Sequence, residues 1–345
     1  MKKSLLALAT LTAFAGAASA QSSVTLFGIV DAAYGHVSAG GRSVTGISNS
    51  GLNSSRLGFR GVEDLGGGMR AGFWIEGALS NDDGNAAGLT FQRRSTLSLM
   101  GNFGEVRIGR DYTPTFWNTT VYDVFGTNGV GQSMTPGMIS AAGITTNTTA
   151  VRSNNSVSYF LPGGLGGFTG QFMYALGEVA SNAANRGQGN YFGMRLGYGA
   201  GPLAANFATA TVKGVSGATN VKSNNIGVSY DFGAVKPMFF WGTEKAGTGA
   251  KVSAWELSAL APMGAGELRA AYSKYDVANS ANDWNKFAFG YGYNLSKRTQ
   301  LYTTYARVSN KGVQNRTVSN NGLSAGAGVA GANSTGYEFG VRHSF

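Results

Sequence analysis

Arginine recurs in this chain within stretches that read as strands. Arg56 and Arg60 lie in "RLGFRGVE", Arg94 in "FQRRSTLSLM" and Arg107 in "EVRIGR". Around them apolar residues take alternate positions, as Leu57 and Phe59 or Leu97 and Leu99 do. A period of two puts successive side chains on opposite faces of a strand, so these arginines share the face turned away from the apolar one. A guanidinium is always charged and donates hydrogen bonds without accepting any. Such a row attracts anions; it does not move protons.

The groups that bond-making chemistry needs are missing or isolated. Cysteine is absent, and the two histidines, His36 and His343, are too few and too far apart for a metal site. Neither histidine has an evident nucleophile for a Ser–His–acid arrangement. The glycine clusters "GAGP" and "GGLGG" lack the Lys-Ser/Thr of a phosphate loop and a helix to follow, and they read as turns. No catalytic residue, cofactor or metal is expected.

"MKKSLLALATLTAFAGAASA" carries two lysines, an apolar run and Ala18-Ser19-Ala20, the pattern of a secretory signal peptide over residues 1–20. The run is too short for a membrane anchor. Removal leaves 325 residues (345 less 20) as one domain, 21–345, with a net charge of +8, from 25 basic and 17 acidic side chains. No Lys/Arg-rich run suggests nucleic acid. Glycine is abundant (54) and proline scarce (6), yet 20 Phe, 15 Tyr and 5 Trp argue against disorder. No segment after the leader has the apolar length of a membrane helix, whereas barrel strands need only alternate faces over about ten residues.

Seven short stretches read as tight turns: "DLGGGM" (64–69), "GNFGE" (101–105), "LPGGLGGF" (161–168), "GAGPL" (199–203), "DFGAVKP" (231–237), "PMGAGE" (262–267) and "NLSKRTQ" (294–300). Strand-like segments flank each. Phe287, Phe289, Tyr291 and Tyr293 oppose Lys286, Ala288, Gly290 and Gly292. With "SVTLFGIVDAAY" and "GYEFGVRHSF" at the ends the count is sixteen. A soluble β-sandwich also alternates, but sixteen strands with short turns at one end and long polar loops at the other fit an all-β, closed, antiparallel transmembrane barrel. In "GYEFGVRHSF" Tyr337, Phe339, Val341, His343 and Phe345 share one face; Glu338, Gly340, Arg342 and Ser344 share the other. Closure requires this last strand to pair with the first, leaving no open edge in lipid.

One interval is exceptional. Between about 111 and 151 no strand pattern persists, and few charges occur. Long loops of this kind are usually functional or disordered. "TFWNTTVYDVF" is too aromatic for a solvated loop, so this third loop is expected to fold into the lumen and narrow it.

The stretches "SVTLFGIVDAAY", "SRLGFRGVEDLGGGMRAGFWIE", "FQRRSTLSLMGNFGEVRIGRDYTP", "NNSVSYFLPGGLGGFTG", "YNLSKRTQLYTTYA" and "GVRHSF" resemble the Gram-negative general porins of the Neisseria, Bordetella, Burkholderia and Comamonas type, over the whole mature chain. The resemblance implies an outer-membrane homotrimer that passes small hydrophilic solutes by diffusion, with anion preference. It implies that the terminal aromatic strand addresses the barrel-assembly machinery. It also implies a constriction where wall arginines (Arg56, Arg93 or Arg94, and Arg152) face acidic groups, Glu76 and Asp123. The "RR" pair is ambiguous: alternation with Leu97 and Leu99 puts Arg94 inside and Arg93 outside, unless the strand ends there and breaks the pattern. Arg60 and Arg107, inward by alternation, are expected with them on one side of the lumen at the narrow level. A "PEFGG" motif common in enteric porin loops is replaced by "DVFGTNGVG". The nearest rival is a channel specific for one anion or nutrient. A sugar-selective pore needs an aromatic ladder, and Trp74 is the main inward aromatic here. A non-conducting structural or adhesive barrel is the remaining alternative.

Overall fold

Alternation between apolar and polar residues builds every wall element of the computed structural model, which describes residues 23–84, 90–320, 322–326 and 328–345. The signal peptide expected at 1–20 lies outside the described residues. The strands are β1 (Ser23–Ala39), β2 (Arg42–Asn49), β3 (Arg56–Gly66), β4 (Met69–Ala78), β5 (Arg94–Gly101), β6 (Gly104–Tyr112), β7 (Arg152–Phe160), β8 (Phe168–Ala175) and β9 (Tyr191–Ala200). They continue with β10 (Leu203–Val212), β11 (Val221–Tyr230), β12 (Lys236–Ala246), β13 (Lys251–Met263), β14 (Gly266–Val277), β15 (Trp284–Asn294) and β16 (Thr299–Asn310). A small hairpin, β17 (Ser319–Asn320) and β18 (Leu323–Ser324), precedes the last wall strand, β19 (Ser334–Ser344).

β2 and β3 lie end to end along one edge of β1, which pairs with β2 through Ala32–Ala39 and with β3 through Ser23–Ile29. They are two halves of one stave, interrupted at 50–55. Counted this way, sixteen antiparallel staves close the barrel, because β19 bonds to β16 on one side and β1 on the other. Each of the seven short turns joins consecutive staves. At the first, Gly67 and Gly68 take φ of 61° and 79°, which glycine adopts without a Cβ penalty.

The interruption at 50–55 has a local cause. Asp31, fully buried on β1, accepts the backbone N–H groups of Gly51 (3.2 Å), Leu52 (2.9 Å) and Asn53 (2.6 Å). The carboxylate satisfies donors that have left the ladder.

The outer face is an apolar band. Leu97, Leu99, Phe207, Ile226, Trp241, Leu257, Phe287 and Phe339 are all exposed, as lipid contact requires. The packed core lies on the inner face. There Tyr122, Phe125, Val130, Met138 and Ile139, from the segment between β6 and β7, meet Met173, Tyr191, Phe240, Tyr275 and Trp284 of the wall. That segment holds two helices, α1 (Pro114–Tyr122) and α2 (Met138–Ala141). Thr113 caps α1 by accepting from the Phe116 N–H, and Pro114 opens it, a favourable start because proline's missing donor has no helical partner there.

Candidate permeation site

β3 and β4 pair Gly58 with Glu76 and Arg60 with Trp74, and β4 pairs Glu76 with Arg94 of β5. Inward positions on three neighbouring staves therefore carry two arginines, a tryptophan and a glutamate at close range. Glu76 is 3% exposed. It accepts from Arg93 Nε (2.6 Å), Arg56 Nη1 (3.4 Å) and Trp74 Nε1 (3.2 Å). Arg93 Nη2 then donates to the Tyr112 hydroxyl at 2.7 Å, and Arg152 Nη2 donates to the same oxygen at 2.8 Å. Arg152 also lies 4.4 Å over the Tyr112 ring and donates through Nε to the Arg93 carbonyl. One phenol thus organises two guanidinium groups that repel each other.

Arg56, Arg93, Tyr112 and Arg152 line a cavity of about 660 Å³. Phe116, Trp117, Thr120, Gly126–Gly129 and Met134 of the long segment form its other side, with Lys286.

The remaining arginines form a second tier toward the short-turn end. Arg94 stacks 4.5 Å over Trp74 and pairs with Asp111 at 3.6 Å. Arg60 lies 5.2 Å from the same ring and 5.4 Å from Phe27. Arg107 pairs with Glu105 (2.8 Å) and Asp111 (2.7 Å). These arginines line a smaller space of about 380 Å³. The arginines expected at one narrow level are therefore split between two.

One open choice is resolved and one expectation is corrected. Arg93 turns inward: it precedes the first residue of β5, so strand alternation does not govern it, and its side chain reaches Glu76. Arg93 and Arg94 both face the interior. Asp123 does not oppose the arginines. It follows α1, is 5% exposed, and accepts the N–H groups of Phe125 (2.9 Å), Thr127 (2.8 Å) and Ser133 (2.7 Å). Burial lifts its carboxyl above the usual range, while those three donors and the Lys286 ammonium pull it back down. A short carboxylate in a turn is captured by local N–H groups before it can reach across open space.

Replacing Asp123 by Ala leaves three backbone donors, those of Phe125 and Ser133 buried and that of Thr127 partly so, without their acceptor, at a cost on the order of 1–3 kcal/mol for each buried one that stays unsatisfied. The barrel is expected to fold and insert, and the segment 123–133 to loosen. Single-channel recordings should show excess open-channel noise; traces as quiet as those of the unmodified protein would refute this anchoring role.

Several residues were not singled out from the sequence. Tyr112 lies in "GRDYTP", which carries no special signal. Lys286 was legible as inward in "KFAFGYGY", and its Nζ donates to the Gln132 carbonyl at 2.5 Å. Wall side chains of other staves hold the same segment. Glu338 accepts the Val130 N–H, Tyr275 the Met134 N–H and Glu244 the Ile139 N–H.

A closed sixteen-stave barrel with an apolar exterior and arginines on internal, water-accessible space defines an outer-membrane channel of the porin class. The sequence pattern described as Gram-negative porin matches residues 7–313, and the chain belongs to that family: it is a diffusion porin of the outer membrane. Outer membrane porin protein 32 of Delftia acidovorans is 44% identical over 355 residues, with 100% of both chains covered. An outer membrane porin protein of Bordetella pertussis is 30% identical, over 89% of this chain and 94% of that one. The solved structure of an anion-selective porin from Comamonas acidovorans superposes with a TM-score of 0.87 at 41% identity, covering 94% of this chain and all of the other.

Proposed function

We propose that this porin selects anions, and that Arg56, Arg93 and Arg152 do most of the selecting. The supporting observation is the charge balance of the wall. In the patch formed by β3–β7, Arg56, Arg93, Arg94 and Arg107 share Glu76, Glu105 and Asp111 as carboxylate partners, while Arg60 and Arg152 rest on aromatic rings, so six positive charges there meet three negative. Guanidinium groups lining a pore favour anions, and a narrow low-dielectric passage screens them less than bulk salt does. The segment 113–151 narrows the lumen from the opposite side. The solutes are small hydrophilic molecules, anions first, passed without tight binding.

The anion-selective porin from Comamonas acidovorans, 41% identical over nearly the whole chain, supports the same reading. The working unit is a homotrimer in outer-membrane lipid, exported by a cleaved leader over 1–20 and inserted by the barrel-assembly machinery through β19. Planar-bilayer recording in a KCl gradient tests the selectivity. The reversal potential is expected on the chloride side; a value on the potassium side refutes anion selection.

A further inference from the structure

Cross-strand neighbours of like charge are destabilising, and barrel walls usually avoid them. On the outward face of β11–β13 the register does the opposite. Lys222 pairs directly with Lys245, and Lys245 with Lys251. These are the like-charge rungs among the described strand pairs. Lys222 and Lys245 are exposed and Lys251 is partly so. None of the three makes an ion pair among the described residues. With strands about 4.8 Å apart, three ammonium stems rise from a row only about 10 Å wide.

Two further rows lie beneath in the same register. Asn224, Thr243 and Ser253 are paired in one, and Ile226, Trp241 and Trp255 in the next. Trp241 and Trp255 are exposed on the outer surface. Moving outward along the staves, the rows thus change from tryptophan, to hydroxyl and amide, to lysine, with Asn224 and Ser253 partly exposed and Thr243 buried between them. The lysines stand four residues beyond the tryptophans, or about 13 Å. They sit at the end of the barrel that holds the long 113–151 segment, opposite the seven short turns, although β12 and β13 are joined there by 247–250 alone; that end faces outward in barrels of this class. Tryptophan marks the boundary of the hydrocarbon layer, so the lysines stand at headgroup height in the outer leaflet.

We propose that Lys222, Lys245 and Lys251 form a docking site for the phosphate groups of an outer-leaflet lipid. A headgroup bearing two phosphates spans such a row and removes the repulsion within it, while its sugars face the amide and hydroxyl rungs below. On the same face of β14, Asp276 pairs with Ser253 and Lys274 with Trp255, so that stave adds no net charge beside the lysine row. The site lies outside the pore and does not depend on its selectivity.

The test uses the full-length protein in detergent, titrated with diphosphorylated lipid A, with its dephosphorylated form and with inorganic phosphate, and followed by native mass spectrometry. Replacing all three lysines by glutamine should weaken binding of the diphosphorylated lipid by on the order of a hundredfold, since each lysine near a charged headgroup contributes about 1 kcal/mol. The triple arginine variant should retain binding, and the dephosphorylated lipid should bind weakly to every variant. Lys245→Gln alone, at the centre of the row, should cost about fivefold and serves if the triple variant does not fold. Glutamine variants that bind within twofold of the unmodified protein would overturn the proposal. So would inorganic phosphate that binds as tightly as the lipid with the same dependence on the lysines.

Discussion

Replacing Arg56, Arg93 and Arg152 together by glutamine is expected to move the reversal potential in a KCl gradient most of the way from the chloride side toward zero, and to lower conductance most at low salt. The argument is electrostatic. An anion 6 Å from one guanidinium gains about 0.7 kcal/mol at the dielectric of water and about 2.8 kcal/mol at an effective value of 20. Three such groups border the larger cavity, so their sum exceeds thermal energy several times over. The substitution also frees Glu76, which keeps only the Trp74 donor of its three, and its exposed charge then opposes anions directly. Salt screens this field over about 10 Å at 0.1 M, hence the larger effect in dilute solution. Glutamine in place of Arg60, Arg94 and Arg107 should shift the potential less, because Glu105 and Asp111 already balance part of that tier. Equal shifts from the two triples would show that position along the pore is irrelevant. No shift from the first would remove Arg56, Arg93 and Arg152 from the selectivity mechanism.

What the sequence shows and what it hides follow from the range of the interactions involved. Inward and outward faces were legible because alternation is local: Lys286, Ala288 and Gly290 against Phe287, Phe289 and Tyr291 can be sorted without knowing any neighbour. The short turns were legible for the same reason. The hairpin of β1 and β2 was not. "GHVSAGGRSVTGISNS" is rich in serine and glycine, and it holds strand form because β1 continues to Ala39 between β19 and β2. The break at 50–55 depends on Asp31, some twenty residues earlier in the chain. Arg93 is ambiguous in the sequence because periodicity ends where the strand ends, and a long side chain there follows its ion pair. Asp123 was placed by likeness to other porins, but its local N–H partners decide its direction. The start of α1 at "TPTF" did carry a readable signal, threonine before proline.

Removing Phe345 is expected to leave the protein exported and largely absent from the outer membrane as a heat-modifiable species. The last residue does three things in the folded barrel. Its N–H donates to the Gly28 carbonyl and its carbonyl accepts from the Gly28 N–H, both at 3.1 Å. These bonds extend the seam between β19 and β1 by one rung, and within lipid an unpaired backbone group costs several kcal/mol. Its ring lies over Gly28 so closely that a Cβ there would fall 2.4 Å from the ring carbon Cζ; glycine is the residue that leaves room for it. Finally, the ring completes the exposed series Tyr337, Phe339, Val341 and His343 on the outer face, the face the assembly machinery would read. The roles separate by substitution. Phe345→Leu keeps the rung and an apolar cover and should lose little if closure alone matters, but much if the aromatic series is read during insertion. Gly28→Val keeps Phe345 and displaces its ring, so it should weaken closure without altering the aromatic series itself. Outer-membrane levels and heat modifiability of the deletion, Phe345→Leu and Gly28→Val measure these contributions. Deletion with normal levels of folded barrel would show that Phe345 serves neither closure nor assembly.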